Sequence, residues 1–505
     1  MPISSRNIYA AIDLGSNSFH LLVATFKSGQ IYPLDSVKHM VRLAAGLDEK
    51  KNISPEYLNK AYESLESMAA RIDKIPDGHI RIVGTNTLRV ARNSAEFLAR
   101  AEQILNHEIE IISGREEARM LYLGVAQSTS DSPSRKLVMD IGGGSTELII
   151  GEGMRPEKRE SLYMGCVSYT QKYFKGGIID QHNWNKAVIH ALQELNPFIQ
   201  TFKNQGWEHS VGASGTMRAT ASILEANDWS VTGITMSGLE ALKARCLDLG
   251  HTEQLSELDG LSEQRRPVFI GGLAIVYALM KAFDIEQMDV SMGALREGLL
   301  YEMLDGPKHI SVTKRSIRKL CEQFTIDPVH AESVQRHSED LLEHLNIKIK
   351  KRIKALLNGA IKLHELGLSI AHSQYHKIGA YVINHADMPG FSNQQKLVMA
   401  TLVRLHRRKI SKSVLATLTP RQYEVVIPLL VVMRLSVVFA RNRHFEPVPV
   451  EHLHWHNDTI HLDINPDWLV DHPLIKADLK DEVKRLQAIN LELLINRRQK
   501  AVASL

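Results

Sequence analysis

The chain has 505 residues, a formal net charge of +4, 44% hydrophobic and 23% charged residues, the composition of an ordinary soluble globular protein. It is too long for one core, so roughly two to four domains are expected, and the mild charge gives no reason to expect a nucleic-acid partner. Cys166, Cys246 and Cys321 lie far apart with no Cys-x-x-Cys pair, which argues against a structural zinc site. No signal pattern opens the chain, and the longest apolar run, Val425 to Val432, is short and interrupted by Pro428; the expectation is a cytoplasmic protein without a membrane span.

An apolar run from Ile8 to Ile12 enters Asp13-Leu-Gly-Ser-Asn-Ser18, and a second strand, Leu21 to Thr25, leaves it for a polar turn at Lys27-Ser-Gly29. Pro55 to Ile75 carries apolar residues at helical spacing (Leu58, Ala61, Leu65, Met68, Ile72). His79 to Gly84 and Ile109 to Ile112 read as strands, and Ser113-Gly-Arg-Glu116 spells a capping box opening a helix through Ala126. The Ser, Asp and Pro-rich stretch Ser128 to Arg135 reads as a crossing, so a first lobe spans 1–128. The plan then repeats over 129–306. A run at Leu137 to Met139 enters Asp140-Ile-Gly-Gly-Gly-Ser-Thr-Glu147, a strand ends in Val211-Gly-Ala-Ser-Gly-Thr216, and a strand near Met288 to Ser291 leads to a helix at Ala294 to Leu304. Alternating strands and helices make both halves α/β. Residues 307–446 show helical periodicity alone, and 447–505 form a small α+β segment with a β-like piece at His452 to Leu462 and a closing helix at Asp478 to Arg497.

The two loops are spelled alike: an acid leads, glycine follows two residues later, and serine three after that. Small residues between strands let backbone N–H groups approach phosphate oxygens. One such turn is usually a plain hairpin; two copies point to related lobes gripping a polyphosphate from both sides. No Walker A spelling exists, and Gly142-Gly-Gly144 lacks the last glycine of a dinucleotide fingerprint. Glu116 and Glu117 can equally be dipole-favouring acids of a first helical turn, and Ser214 and Thr216 can be helix caps.

These loops, with Ile112-Ser-Gly-Arg-Glu-Glu-Ala-Arg119, Val83-Gly-Thr-Asn-Thr-Leu-Arg89, Met164-Gly-Cys-Val-Ser168, Gly212-Ala-Ser-Gly-Thr216 and Gly293-Ala-Leu-Arg-Glu-Gly298, resemble the exopolyphosphatase/guanosine pentaphosphate phosphatase family of the actin-like ATPase-domain superfamily. The likeness extends to Leu363-His-Glu-Leu-Gly367 and Leu405-His-Arg-Arg-Lys409 and so covers nearly the whole chain. It implies two actin-like (ribonuclease H-like) lobes, an all-α HD-like domain and a small C-terminal α+β piece. By the same resemblance, Gly15, Ser16, Asn17 and Ser18 form the first phosphate loop and Gly142, Gly143, Gly144, Ser145 and Thr146 the second. Gly212, Ser214 and Gly215 are further phosphate-binding candidates, and Arg89 lies near the bound phosphates. Glu117 activates the attacking water; Asp140 and Glu147, with Asp13 a weaker candidate, hold Mg²⁺, and a monovalent cation such as K⁺ is compatible. Met292 departs from the family, whose members usually carry an acid there.

In the helical domain His330, His364-Glu365 and His406 resemble the metal-dependent His…His-Asp…Asp phosphohydrolases, but Glu365 replaces the paired aspartate and Arg434-Leu-Ser-Val-Val438 lacks the later one. The expectation is a retained fold whose metal chemistry is lost. Arg404, His406, Arg407, Arg408 and Lys409 are candidate polyanion-channel residues, whereas Lys348 to Lys354 reads as a solvated face. The leading expectation is a Mg²⁺-dependent exopolyphosphatase releasing orthophosphate from inorganic polyphosphate. The alternative is hydrolysis of guanosine pentaphosphate (pppGpp) in the stringent response. A superfamily kinase and a catalytically silent sensor rank lower, and the resemblance implies a homodimer.

Overall fold

The computed structural model describes residues 7–27, 30–128, 134–304, 306–345, 349–443 and 445–496, without the side chains of residues 27 and 306–311. The turn expected at 27–29 and the middle of the crossing at 128–135 lie largely outside the described residues. The chain divides into two compact units, Met1–His309 and Ile310–Leu505.

The first unit is built on two sheets. One contains β1 (Ile8–Leu14), β2 (Phe19–Lys27), β3 (Gln30–His39), β4 (Ile80–Gly84) and β5 (Glu110–Ile111) in the order β3-β2-β1-β4-β5. The other contains β6 (Arg135–Ile141), β7 (Thr146–Glu152), β8 (Arg155–Leu162), β9 (His209–Ala213), β10 (Ile234–Thr235) and β11 (Gln287–Val290) in the order β10-β11-β9-β6-β7-β8. In each, a hairpin and a parallel strand flank the same acid-bearing strand. Asp13 of β1 faces His20 of β2, and Asp140 of β6 faces Glu147 of β7. β1 pairs in parallel with β4, and β6 with β9.

The central strands are buried on both faces, and their alternation sorts residues between two layers. Ala10, Ile12 and Leu14 join one core with Leu65 and Met68 of the helix Pro55–Ile72, while Ala11 joins another with Leu295, Leu299 and Leu300. In β6, Leu137, Met139 and Ile141 face the large core under the helix Arg266–Ala282, and Val138 faces Ala118, Leu121, Tyr122 and Val125 of the helix Gly114–Ser128. The helix that ends the first lobe in sequence therefore covers the second lobe's sheet, and the helix Leu295–Leu304 covers the first lobe's. The two helices cross where a Cβ on Gly298 would overlap the Met120 carbonyl and one on Gly124 the Ala294 carbonyl.

The second unit packs the helices Pro328–His344, Lys351–Leu363, Tyr375–His385, Asn393–Leu405 and Pro420–Phe439 around one apolar core. The apolar run read as too short is part of the 20-residue helix Pro420–Phe439, which continues through Pro428. Among the described residues it is the one helix long and apolar enough to cross a membrane, and 67% of its most apolar window is buried in the unit, as in a core helix. A three-stranded sheet follows: β12 (Val450–His456) and β13 (Thr459–Ile464) form the expected hairpin. The closing helix is shorter and earlier than expected. It runs Pro473–Gln487, and the chain returns as β14 (Glu492–Ile495), parallel to β13, because Leu491 and Leu493 are buried in the same core.

Candidate active site

Both small-residue loops close with the same backbone bond: Gly15 N–H to Ser18 O at 3.2 Å, and Gly142 N–H to Ser145 O at 2.9 Å. They meet across the two lobes. A Cβ on Gly143 would stand 2.9 Å from the Ser16 Cβ and 3.1 Å from the Asn17 nitrogen, so only glycine permits this approach. The second loop is held from behind, where Cys166 and Val167 donate N–H bonds to Gly142 O (2.9 Å) and Gly143 O (3.0 Å).

Four carboxylates converge below the loops. Asp13, Glu117 and Asp140 line the cleft, and Glu147 lies behind Asp140, fully buried and accepting a bond from Ser161 Oγ at 2.8 Å. Burial first, and Glu117 next, push the Asp13 carboxyl up to about 8. Burial likewise raises Asp140 to about 6 against a favourable bond from Ser214, and burial with the neighbouring acids raises Glu147 well above its ordinary value. One oxygen each of Asp13 and Asp140, Oδ1, is buried without a hydrogen-bond partner, as are both polar atoms of the Asn17 amide. An all-oxygen set of unsatisfied carboxylates is the donor set of a hard divalent cation.

Cations face them. Arg218, Arg265 and Arg296 line the cleft, and Lys38, beside them, is lowered to about 8 by burial and by these three arginines. Arg296 Nη1 donates to His20 Nδ1 at 3.1 Å; His20 therefore carries its proton on Nε2 and donates to Ser18 Oγ at 2.8 Å. Burial and the surrounding cations hold that ring neutral, with its pKa near about 2. A Cβ on Gly215 would overlap the Arg265 guanidinium, so the glycine leaves the room that this group occupies. Ser214, at φ 64°, holds a strained backbone at the wall of the cleft.

The expected site residues are thus partly gathered. Gly15, Ser16, Asn17, Ser18, Gly142, Gly143, Ser145, Ser214 and Gly215 line the space with Asp13, Glu117 and Asp140. Gly144, Thr146, Gly212 and Glu147 do not. Gly144 packs on Asn86, Thr146 Oγ1 donates to Met164 O at 2.6 Å, and Gly212 packs on Met217. Arg89 does not line it either. Its Nη1 donates to Glu117 at 2.7 Å and to Ile112 O at 2.9 Å, so it positions the glutamate. Met292 is exposed, and its backbone carbonyl accepts from Arg218 Nη1 at 3.3 Å, a contact that does not depend on the residue type. His20, Lys38, Arg218, Arg265 and Arg296 escaped sequence reasoning. Arg296 stood inside a quoted motif, and Arg218 follows Ser214 by one helical turn; Arg265 had no local signal.

In the second unit, Arg404, Arg407, Arg408 and Lys409 line an open cavity of about 1080 Å³ together with Lys377 and Lys412. His406 does not: it is buried, with its ring against His364. Of the Lys348 to Lys354 cluster, residue 348 lies outside the described residues.

The Ppx/GppA phosphatase family matches residues 22–306, and its domain III matches 312–483. A guanosine-5'-triphosphate,3'-diphosphate pyrophosphatase of Aliivibrio fischeri is 39% identical over 497 residues, covering 97% of this chain and 98% of the relative. One of the same name from Vibrio cholerae is 38% identical over 498 residues, with the same two coverages. Among solved structures, an exopolyphosphatase from Cytophaga hutchinsonii (TM-score 0.55, 23% identity, 59% of this chain and 98% of that one) and a family member from Aquifex aeolicus (TM-score 0.51, 24% identity, 60% and 98%) share the fold. The chain belongs to the Ppx/GppA phosphatase family, with two α/β lobes of one plan followed by a helical domain. It is a hydrolase acting on phosphoanhydride bonds.

Proposed function

We propose that the cleft removes the terminal phosphate of guanosine pentaphosphate, releasing orthophosphate and guanosine tetraphosphate. The observation that carries this reading is the near full-length similarity to proteins named for that substrate. It reverses the order of the two substrates expected from the sequence, where short motifs in the helical domain favoured polyphosphate.

The chemistry follows from the groups in the cleft. The cleft is open on one side and its inner space is about 100 Å³, below the ~300 Å³ of a typical small-molecule site, which suits the end of a phosphate chain better than a whole nucleotide. Loop amides and Arg218, Arg265 and Arg296 hold the phosphoryl oxygens. Glu117, fixed by Arg89, orients the water and takes its proton as the water oxygen bonds to phosphorus and the bridging P–O bond breaks. Asp13 and Asp140 would hold Mg²⁺, which when bound neutralises charge on the phosphate oxygens.

Phosphate release from pppGpp and from long-chain polyphosphate, side by side with Mg²⁺ and with chelator, tests the proposal. Faster Mg²⁺-dependent release from pppGpp supports it; faster release from polyphosphate overturns the substrate assignment and leaves the site intact. Polyphosphate stays the second reading because of the basic cavity on the second unit.

A further inference from the structure

The helical unit holds a cluster that the cleft chemistry does not use. Donor atoms of His330, His364 and Glu365 lie within 4.8 Å of one another, and all three residues are at most 9% exposed. His406 packs against the same cluster, 2% exposed. The ring nitrogens point to a purpose beyond packing. His364 Nδ1 donates to Ile361 O at 2.6 Å and His406 Nδ1 to Val403 O at 2.7 Å, so each carries its proton on Nδ1 and turns a lone pair outward on Nε2. Both Nε2 atoms are buried without a partner, and so is His330 Nδ1. A backbone carbonyl holding one ring nitrogen while the other stays bare is the outer-shell arrangement of a ligating histidine.

The ring spacing fits as well. Two imidazoles bound at ~2.1 Å to one tetrahedral ion place their centroids about 5 Å apart. The His330 and His364 centroids are 5.3 Å apart, and those of His364 and His406 are 5.2 Å apart. Closing the donors from 4.8 Å to the ~3.4 Å of tetrahedral ligands asks for small side-chain shifts. Arg443 is the competing cation. It bonds Glu365 Oε1 at 2.8 Å, but it is half exposed and has Asp327 Oδ2 at 3.1 Å as its other partner.

We propose that His330, His364 and Glu365, with the unpartnered Nε2 of His406 as the candidate fourth donor, form a binding site for one divalent transition ion of the zinc class, separate from the phosphate cleft. Nitrogen donors select such an ion over Mg²⁺. The expectation that metal chemistry was lost rested on missing aspartates; the fold replaces them with a glutamate and a third histidine from separate helices. No cysteine takes part.

The test uses the untagged full-length chain, stripped with chelator and titrated with Co²⁺, whose visible absorption reports four-coordination. The expected result is one Co²⁺ per chain with a tetrahedral spectrum that Zn²⁺ displaces. His364→Gln, His330→Gln and Glu365→Gln each weaken it by at least about tenfold, with unchanged far-ultraviolet circular dichroism. Asp140→Asn, in the other unit, leaves the spectrum intact. The absence of a four-coordinate signal from the unmodified chain overturns the proposal whatever the variants do, and so does a signal that folded His364→Gln and His330→Gln chains retain.

Discussion

Glu117 is held at its carboxylate by Arg89 and faces the cleft between two aspartates. Glu117→Gln keeps the volume and removes the proton acceptor. Turnover is expected to fall by ~10²–10⁴-fold with substrate binding retained, read as kcat and as affinity by equilibrium binding; unchanged kcat removes Glu117 from the role. Arg265 lies over Gly215 with its guanidinium in the cleft, so Arg265→Ala is expected to raise KM for phosphorylated substrates. Asp13 and Asp140 set a pH dependence. A carboxyl near 8 in the folded chain and near 3.8 in the unfolded one keeps its proton only when folded across that interval. Stability from this group is therefore full below about 4 and is lost as pH rises toward about 8. Mg²⁺ needs the ionised carboxylates, so its rise in melting temperature is expected to be larger at pH 8 than at pH 5, measured with and without chelator.

At the scale of elements, Ser113-Gly-Arg-Glu116 shows where local spelling stops. Ser113 Oγ does accept the Glu116 N–H at 3.2 Å, but the Glu116 carboxylate turns to Arg119 at 2.8 Å instead of closing the box. Burial explains the switch. Arg119 also pairs with Glu302, which pairs with Arg81, so a buried ion network ties the helix Gly114–Ser128 to Leu295–Leu304 and β4. Glu302→Ala removes one of two carboxylate partners from each guanidinium, leaving Arg119 with Glu116 and Arg81 with Glu110, and is expected to cost about 1.5–3 kcal/mol, read by chemical denaturation. The helix crossing at Gly124 and Gly298 has no room for a side chain. Gly298→Ala is expected to cost about 1–3 kcal/mol and to lower the melting temperature without altering the residues that touch substrate. Strands and helices of the first unit were legible because period-2 and period-3.6 patterns are local. The closing helix was misplaced because β14 is decided by β13 and the core beneath it.

Across the whole molecule, the basic cavity bears on the substrate question. If it binds polyphosphate, affinity falls as salt rises, and Arg407→Gln with Arg408→Gln weakens binding of long-chain polyphosphate in a direct binding assay. Unaltered binding would leave the cavity without that role. The sequence by itself determined the duplicated acid-glycine-serine loops, the α/β lobes before the helical domain, and the family, because these depend on residue order and local period. Only the tertiary structure decided that Arg218, Arg265 and Arg296 line one cleft with Asp13, Glu117 and Asp140 and that Arg89 serves Glu117. It also decided that His406 turns inward to His364. Those neighbours are far apart along the chain, and their meeting is set by which faces of sheets and helices are buried together.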